Sequence, residues 1–377
     1  MKKKKGQSAG TFGIVRLFSL FLLTAVLTCV LCSGGGRRTI KALKLSYPEL
    51  YGETARELFL LETVRDGTEE QEMVTENEKA ALKEKEVLKN GYTTPSDIIL
   101  MQEQFRKSFS SAESKGTVLQ RQYNAENATD VFGSICLRNT TQSHSADIES
   151  SLNGTLYLDI KDKALPTVLV FHTHTTESYE MLDEGWFTPS YSTRSTDPAR
   201  NMVRVGDAIC EELEKNNIGV IHDTQIHDSR YTGAYDRSRA SVEAILKKYP
   251  SIRITLDVHR DAIYLDEKTR VKAIFEINGI KAAQIMIIAG CQDGKVKSFD
   301  GWEKNLTFDL RLQKTAEEMF PGLMRPVLFC SRKYNMDVTP CSALLEFGSD
   351  SNTLAEAVYS GHLFGQALSR FIEENGR

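Results

Sequence analysis

Short apolar runs alternate with amphipathic segments through the C-terminal part of the chain. The short runs predict strands, and the segments with an apolar residue at every third or fourth position predict helices. The clearest helix follows Asp197-Pro198, which supply an N-cap and a first-turn proline. It carries the stripe Met202, Val205, Ile209, Leu213 and ends near Gly219. Further strands are predicted at 167–171, 220–221, 252–258, 271–277, 284–289, 326–330 and 343–347, and further helices at 236–249, 305–320 and 354–374.

This alternation predicts an α/β fold with a mostly parallel central sheet and helices on both faces. Wholly apolar strands are typical of sheets that are covered on both sides. In such sheets the chemistry lies beyond the carboxyl ends of the strands. We therefore assign residues 131–377 to the catalytic domain and expect its functional side chains directly after predicted strands.

The first 38 residues have the pattern of a basic cytoplasmic tail and a membrane anchor. Lys2 to Lys5 precede the apolar run 17–32, whose sixteen residues would rise roughly 24 Å as a helix against a bilayer core of roughly 30 Å. The basic start places the remainder of the chain outside the cytoplasm. No small-x-small cleavage site follows, so we expect an uncleaved single-pass anchor. Residues 39–130 are predicted to be a polar stalk, because Glu and Lys dominate 53–90.

Composition narrows the possible functions. The 377 residues include 47 Lys and Arg against 51 Asp and Glu, a formal net charge of −4. That balance argues against a nucleic-acid binder, which usually has a basic face. The seven cysteines are odd in number, and only Cys29 and Cys32 lie close together, inside the apolar run. A disulfide scaffold or a zinc knuckle is therefore not expected.

The first predicted strand runs directly into a cluster of possible metal ligands. His172 and His174 follow it, with Glu177 three residues later. In an extended segment the two imidazoles would point to the same side, because side chains alternate with a period of two. Imidazole and carboxylate groups are standard zinc ligands. The alternative is a pair of histidines that cap a turn.

Two more strand ends carry polar residues. The strand at 252–258 ends at His259, a plausible third ligand, and either Asp257 or Asp261 could hold its imidazole from outside the ligand shell. Glu346 lies between apolar neighbours in the strand at 343–347, where an uncompensated carboxylate is costly. Beside a zinc-bound water it would be a natural general base and acid. The alternative is a buried salt bridge from Glu346 to Arg260.

These segments resemble a known family. The run 168–179, which contains His172, His174 and Glu177, is similar to the signature of the stage II sporulation protein P family. Supporting pieces follow in order at 195–198, 203–206, 231–235 and 257–262. The resemblance implies a zinc-dependent peptidoglycan hydrolase with the fold of zinc N-acetylmuramoyl-L-alanine amidases. Such an enzyme cuts the amide between N-acetylmuramic acid and L-alanine and also cuts peptide cross-links as an endopeptidase.

The resemblance also implies a place of action and partners. The family works in engulfment at the mother-cell membrane, with stage II sporulation proteins D and M, and its catalytic domain faces the space between two membranes. In the broader amidases a metal-binding Glu opens the first helix, whereas this chain has Arg200-Asn201-Met202 there. The strand-end residues therefore predict His174 and His259 as metal ligands with either Glu177 or His172 as the third, and Glu346 as the catalytic residue.

Two other classes remain open from the sequence. Histidine-x-histidine after a strand also occurs in other metal-dependent amidohydrolases and in phosphoesterases, although usually on larger barrels. A membrane-anchored binding module that has lost its metal is the other alternative. Such a module would be expected to lack one residue of the cluster, and none is missing.

Overall fold

A computed structural model describes residues 92–108 and 115–376. Its helices are α1 (Ser96–Ser108), α2 (Ile148–Asn153), α3 (Met202–Lys215), α4 (Ala234–Lys248), α5 (Trp302–Met319) and α6 (Leu354–Asn375). Its strands are β1 (Gly116–Arg121), β2 (Asp130–Phe132), β3 (Ile135–Asn139), β4 (Pro166–Phe171), β5 (Trp186–Phe187), β6 (Gly219–His222), β7 (Ile254–Asp261), β8 (Tyr264–Asp266), β9 (Thr269–Ile277), β10 (Ile280–Ala283), β11 (Ile285–Gly290), β12 (Val327–Cys330) and β13 (Cys341–Ser349).

The central sheet has eight strands in the order β2-β3-β12-β11-β13-β7-β4-β6. β6, β4, β7 and β13 run parallel to one another, whereas β11 pairs antiparallel with β13. β12 and β3 then follow the direction of β11, and β2 reverses again. The prediction of a mostly parallel sheet is therefore correct for five of these seven pairings, and the sheet is mixed overall.

Helices cover both faces of this sheet, as predicted. α3, α5 and α6 pack on one face, where their apolar residues join those of β4, β7, β11 and β13 in the main core. α4 covers the opposite face through Val242, which packs with Leu169 and Phe171 of β4. Because β4 alternates between the two cores, consecutive side chains of this strand serve opposite layers.

A second, smaller sheet was not predicted. It has the order β10-β9-β1-β5, with β8 paired to the outside of β9. β1 lies between β9 and β5 and pairs in parallel with β9. Ile98 of α1 is fully buried in the main core, and Val118 of β1 is also buried. The structure thus adds residues before 131 to the packed domain, although the sequence assigned them to the stalk.

The predicted anchor at 17–32 and the stalk up to residue 91 lie outside the described residues. Among the residues that are described, none of the helices combines the length and the apolar character that crossing a membrane requires.

Candidate active site

The site lies where β4, β7 and β13 end, on the α4 face of the sheet. Asp257 is the register partner of Phe171, and His259 is the register partner of Glu346. Residues opposite each other on neighbouring strands, and residues two apart on one strand, point to the same face. Asp257, His259 and Glu346 therefore share the face of Phe171, which α4 covers.

His172 and His174 point to different sides of the sheet. Residues 173–176 form a turn directly after β4, so the alternation expected for an extended segment does not apply. His172 continues the α3 face and lies against Gly206, where an added Cβ would stand 2.7 Å from its Nε2. His174 lies on the other side, with its ring 5.4 Å from that of His259. The expectation that the two imidazoles face the same way is wrong.

Both ring nitrogens of His172 already have protein partners. Nδ1 donates to the carbonyl oxygen of Val258 at 2.9 Å, and Nε2 lies 2.8 Å from Nε2 of His222. His222 in turn places Nδ1 3.1 Å from a carboxylate oxygen of Asp207. Burial, reinforced by His222, lowers the pKa of His172 to about 3. His172 is thus a neutral, fully bonded core histidine in this structure.

His174 stands among aromatic rings, and one of its ring nitrogens has no partner. It stacks on Tyr231 with ring centroids 4.7 Å apart and meets Tyr235 edge-on at 5.6 Å. Its Nδ1 is buried without a hydrogen bond and lies 3.9 Å from Oδ2 of Asp228. Burial and the neighbouring His259 lower the pKa of His174. A neutral imidazole with a free nitrogen is the form that binds a metal ion.

His259 lies between two carboxylates. Its Nδ1 is 3.5 Å from Oε2 of Glu177, and its Nε2 is 2.7 Å from Oδ1 of Asp257. Nε2 is nevertheless without a partner of hydrogen-bond geometry. Burial alone would lower the pKa of His259, but Asp257 and Glu177 outweigh it and raise that pKa. Asp257 is itself fixed by the backbone N–H and the hydroxyl of Thr173, at 2.8 and 2.7 Å.

Arg260 supports Glu177 rather than Glu346. Its backbone N–H donates to Oε2 of Glu177 at 3.2 Å, and its guanidinium donates to the backbone carbonyls of Ser178, Thr193 and Asp261. Burial acts to raise the pKa of Glu177, but His259 and the Arg260 charge outweigh it and hold that pKa low. The alternative of a salt bridge between Glu346 and Arg260 is therefore not seen.

Asp261 does not hold the His259 ring. Its Oδ2 accepts from Nη1 of Arg325 at 2.9 Å, whereas Asp257 is the carboxylate beside the imidazole. Of the two candidates that the sequence left open for this supporting role, the structure brings Asp257 to His259.

Glu346 is half-buried, but its Oε2 atom is buried and has no hydrogen-bond partner. Burial raises the pKa of Glu346, and the negative charges of Asp261 and Glu177 act in the same direction. A carboxyl group with a raised pKa and a free oxygen can both accept and return a proton near neutral pH.

Several residues around the site carried no role in the sequence argument. Arg194 donates from Nη1 to Asp228 at 2.9 Å and places Nη2 3.5 Å from Glu177. Asp228 also accepts from the backbone N–H and the hydroxyl of Thr176. Tyr231 and Tyr235 lie in the segment 231–235 that resembles the family, and Tyr334 lies outside every segment that the sequence singled out. Their position follows from two loops and from the start of α4, which no local pattern places beside β7.

The donor types fit zinc, although no closed ligand cage is present. Within 92–108 and 115–376, no three His, Cys, Asp or Glu side chains stand at the spacing of a metal site. His174 Nδ1 is nonetheless unpartnered, and Glu177 Oε2 lies beside His259 Nδ1. Two imidazoles and a carboxylate are a common zinc ligand set.

The family model for Stage II sporulation protein P (SpoIIP) matches residues 53–369, most of the chain. The chain belongs to the stage II sporulation protein P family. A curated relative, "Stage II sporulation protein P" of Bacillus subtilis (strain 168), is 30% identical over 201 residues, which are 50% of this chain. The match spans 47% of that relative, about half its length.

Two solved structures are also similar to this chain. One is the N-acetylmuramoyl-L-alanine amidase AmiC2 of Nostoc punctiforme, 9% identical, which matches 55% of this chain and 96% of its own with a TM-score of 0.33. The other is the CwlD amidase of Clostridioides difficile in complex with the GerS lipoprotein, 12% identical, which matches 55% of this chain and 97% of its own with a TM-score of 0.35.

Proposed function

We propose that this chain is a sporulation peptidoglycan hydrolase that cleaves the amide between N-acetylmuramic acid and L-alanine. Membership of the stage II sporulation protein P family supports the biological setting. The observation that carries the chemistry is a pair of buried polar atoms without partners, Nδ1 of His174 and Oε2 of Glu346. Both belong to residues that neighbour His259 at one edge of the sheet.

We further propose that zinc is the cofactor. His174, His259 and Glu177 would hold it, because His174 has a free buried nitrogen and Glu177 lies beside His259. His172 is the weaker candidate for third ligand, because Val258 and His222 occupy both of its ring nitrogens. When bound, zinc supplies Lewis-acid polarisation.

Glu346 is proposed to move the protons. As a general base it takes a proton from the attacking water at Oε2, and as a general acid it gives that proton to the leaving amine nitrogen. The raised pKa suits both halves of this task, because a base must accept a proton readily and then release it. Asp257 and Arg260 act indirectly, since Asp257 lies against the His259 ring and Arg260 favours the ionised form of Glu177.

The remaining parts of the proposal come from the family resemblance and the N-terminal pattern. They are endopeptidase activity on peptide cross-links, action in engulfment together with stage II sporulation proteins D and M, and a single-pass anchor at 17–32. The catalytic domain would then face the space between the mother-cell and forespore membranes. The basic start followed by an apolar run supports this orientation.

Digestion of purified sacculi tests the proposed reaction. We expect the wild-type chain with zinc to release stem peptides that begin with L-alanine, as read by mass spectrometry. Glu346→Gln keeps the shape of the side chain and should keep zinc and fold while the rate falls by roughly 10²–10⁴. Glu276→Gln, an exposed glutamate on β9, is the matched control and should digest normally.

Three outcomes would change the assignment. Digestion by Glu346→Gln at the wild-type rate would exclude its catalytic role, and loss of zinc in that variant would make it a ligand. If the wild-type chain leaves sacculi intact but hydrolyses a phosphoester, the amidase proposal is wrong.

A further inference from the structure

Tyr334 has a backbone conformation that a bulky residue rarely adopts. Its φ is +45°, in the left-handed region, and it lies in the loop between β12 and β13. Asn217 and Asn278 share that region, but asparagine tolerates it. Within the described part of the chain, Tyr334 is the one aromatic residue held in this way. Strain of this kind concentrates at ligand-contacting sites.

The loop that carries Tyr334 is fastened to α4. Asn335 is buried, and its Nδ2 donates to the backbone carbonyl of Tyr235 at 3.2 Å and to Oγ of Ser238 at 3.0 Å. Asp337 receives two hydrogen bonds from the guanidinium of Arg239, at 2.7 and 3.2 Å. These contacts hold the strained residue in place, so the ring has a fixed position.

That position is at one end of a row of rings beside the candidate ligands. Tyr334 stacks on Tyr235 with centroids 5.0 Å apart, and Tyr235 lies parallel to the ring of His259 at 6.4 Å. His174 meets Tyr235 edge-on and stacks on Tyr231. Tyr231 is 69% exposed and Tyr334 is half-buried. Two tyrosines therefore flank the histidines, and both rings are accessible to a bound molecule.

The same loop is linked by hydrogen bonds to Asp257, the carboxylate that lies against His259. Ser238, which accepts from Asn335, lies 2.7 Å from the hydroxyl of Thr173. Thr173 donates to Asp257, and Asp257 lies 2.7 Å from Nε2 of His259. The position of the Tyr334 loop and the position of Asp257 beside His259 are therefore set by one connected network.

We propose that Tyr334 is a specificity-determining residue that packs its ring against the sugar next to the scissile amide, with Tyr231 as the opposite wall of the subsite. This inference rests on the proposed function, in which the substrate has a sugar on one side of the amide and a peptide on the other. An uncharged aromatic face suits the C–H face of a pyranose ring. The ammonium of the neighbouring Lys333 is already paired with Asp337 at 3.0 Å.

The test compares two soluble fragments that differ only in the sugar. A disaccharide-tetrapeptide and the free tetrapeptide are titrated calorimetrically into the full chain that carries Glu346→Gln, so that neither is consumed. Adding Tyr334→Asn, which tolerates the positive φ, should weaken binding of the sugar-bearing fragment by about fivefold to tenfold, the worth of an aromatic stack. Binding of the free peptide should not change, and Tyr334→Phe should bind both fragments like the parent.

A thermal unfolding curve separates recognition from packing. Because Asn relieves the backbone strain, Tyr334→Asn should unfold at the same temperature as the parent or higher. A lower midpoint with unchanged affinity would mean that the ring only packs against Tyr235, and an equal loss for both fragments would place it at the peptide. Either result overturns the inference. Tyr231→Ala, at an exposed position, repeats the comparison if Tyr334→Asn does not fold.

Two further measurements separate this inference from the proposed reaction. Tyr157→Asn, at an exposed tyrosine near the start of β13, is the matched control and should change neither affinity. Digestion of sacculi by the wild-type chain is followed in parallel. If the wild-type chain digests sacculi but Tyr334→Asn does not weaken binding of the sugar-bearing fragment in particular, only the Tyr334 inference is refuted. If Tyr334→Asn weakens binding of that fragment alone but the wild-type chain does not digest sacculi, only the proposed hydrolase activity is refuted.

Discussion

Glu177 is buried and Glu346 is half-buried, both beside His259, yet their surroundings move their pKa values in opposite directions. Glu177 accepts a backbone N–H from Arg260 and faces two positive groups, so its pKa falls. Burial of the Glu346 carboxyl raises its pKa, and the negative charges of Asp261 and Glu177 add to that effect. Where the pKa values of two carboxyl groups differ in this way, the group with the lower pKa suits a metal ligand and the group with the higher pKa suits proton transfer.

The third ligand can be decided by single substitutions. We expect Glu177→Ala to lose zinc in elemental analysis, as His174→Ala and His259→Ala should, because each removes a donor from the same side of the sheet. His172→Asn should retain zinc, because His172 faces α3 and its Nδ1 contact to Val258 can be copied by the amide. It should instead lower the unfolding midpoint, since the bond to His222 is lost.

The opposite pattern would reverse the assignment. Zinc loss in His172→Asn together with stoichiometric zinc in Glu177→Ala would make His172 the ligand. Zinc retained in all four variants would place the metal site elsewhere in the chain.

Most candidate residues of this site were accessible from the sequence, because each follows an apolar run. His174, Glu177, His259 and Glu346 are brought together, as expected from strands that end at one edge. The expectation that His172 and His174 face the same side failed because the rule of alternation needs an extended chain, and His174 lies in the turn at 173–176. Asp228 and Arg194 were missed because long-range contacts position them, and no local pattern reports those.

Among the elements, the apolar pattern predicted the positions of the strands and helices well, but it did not predict where strand direction reverses. The helix predicted at 305–320 is α5 (Trp302–Met319), and the one at 354–374 is α6 (Leu354–Asn375). The reversal of β11 against β13 was not predicted, because a buried strand is apolar on both faces whichever way it runs. β8 and β10 have only three and four residues and include polar ones, so neither forms an apolar run that the sequence could mark as a strand.

Helix α5 carries a carboxylate into the core without compensation. Asp309 is fully buried, neither of its oxygens has a partner, and burial raises its pKa well above the usual value. When the pKa of an acid is raised in the folded state, the acid does not lower the free energy of unfolding below its unfolded-state pKa of about 3.9. Above that pH it lowers the free energy of unfolding increasingly as pH rises. We therefore expect Asp309→Asn to gain stability relative to wild type between pH 4 and pH 7.5, by more than about 1 kcal/mol.

Urea unfolding at several pH values measures this difference. Asp300→Asn, at an exposed residue just before α5, is the control and should show no comparable pH-dependent gain. If the stability difference between Asp309→Asn and wild type does not change with pH, the pKa of Asp309 is not raised in the folded state.

At the scale of the whole molecule, the packed domain begins earlier than composition indicates. β1 (Gly116–Arg121) has only two buried positions, Gly116 and Val118, so it lacks the apolar run that marks the other strands. Backbone pairing with β9 and β5 positions β1 in the sheet, and polar side chains do not prevent that pairing. α1 likewise buries Ile98 alone among thirteen mostly polar residues. Sequence patterns report the polarity of side chains. They therefore missed elements that are held by backbone hydrogen bonds or by a single buried side chain.

Truncation tests this boundary directly. A chain that starts at residue 131 loses β1 from the interior of the second sheet, which leaves β9 and β5 unpaired on that side. It also loses Ile98 from the main core and the stacking of Tyr92 on Tyr359, whose ring centroids are 4.1 Å apart. Removing one fully buried aliphatic side chain typically costs about 2–5 kcal/mol, and here a strand goes with it. We therefore expect residues 92–377 to unfold cooperatively in urea. Residues 131–377 should be destabilised by at least that amount or be insoluble.

Equal urea midpoints for the two chains would show that α1 and β1 only lie against the domain and that the domain begins at residue 131.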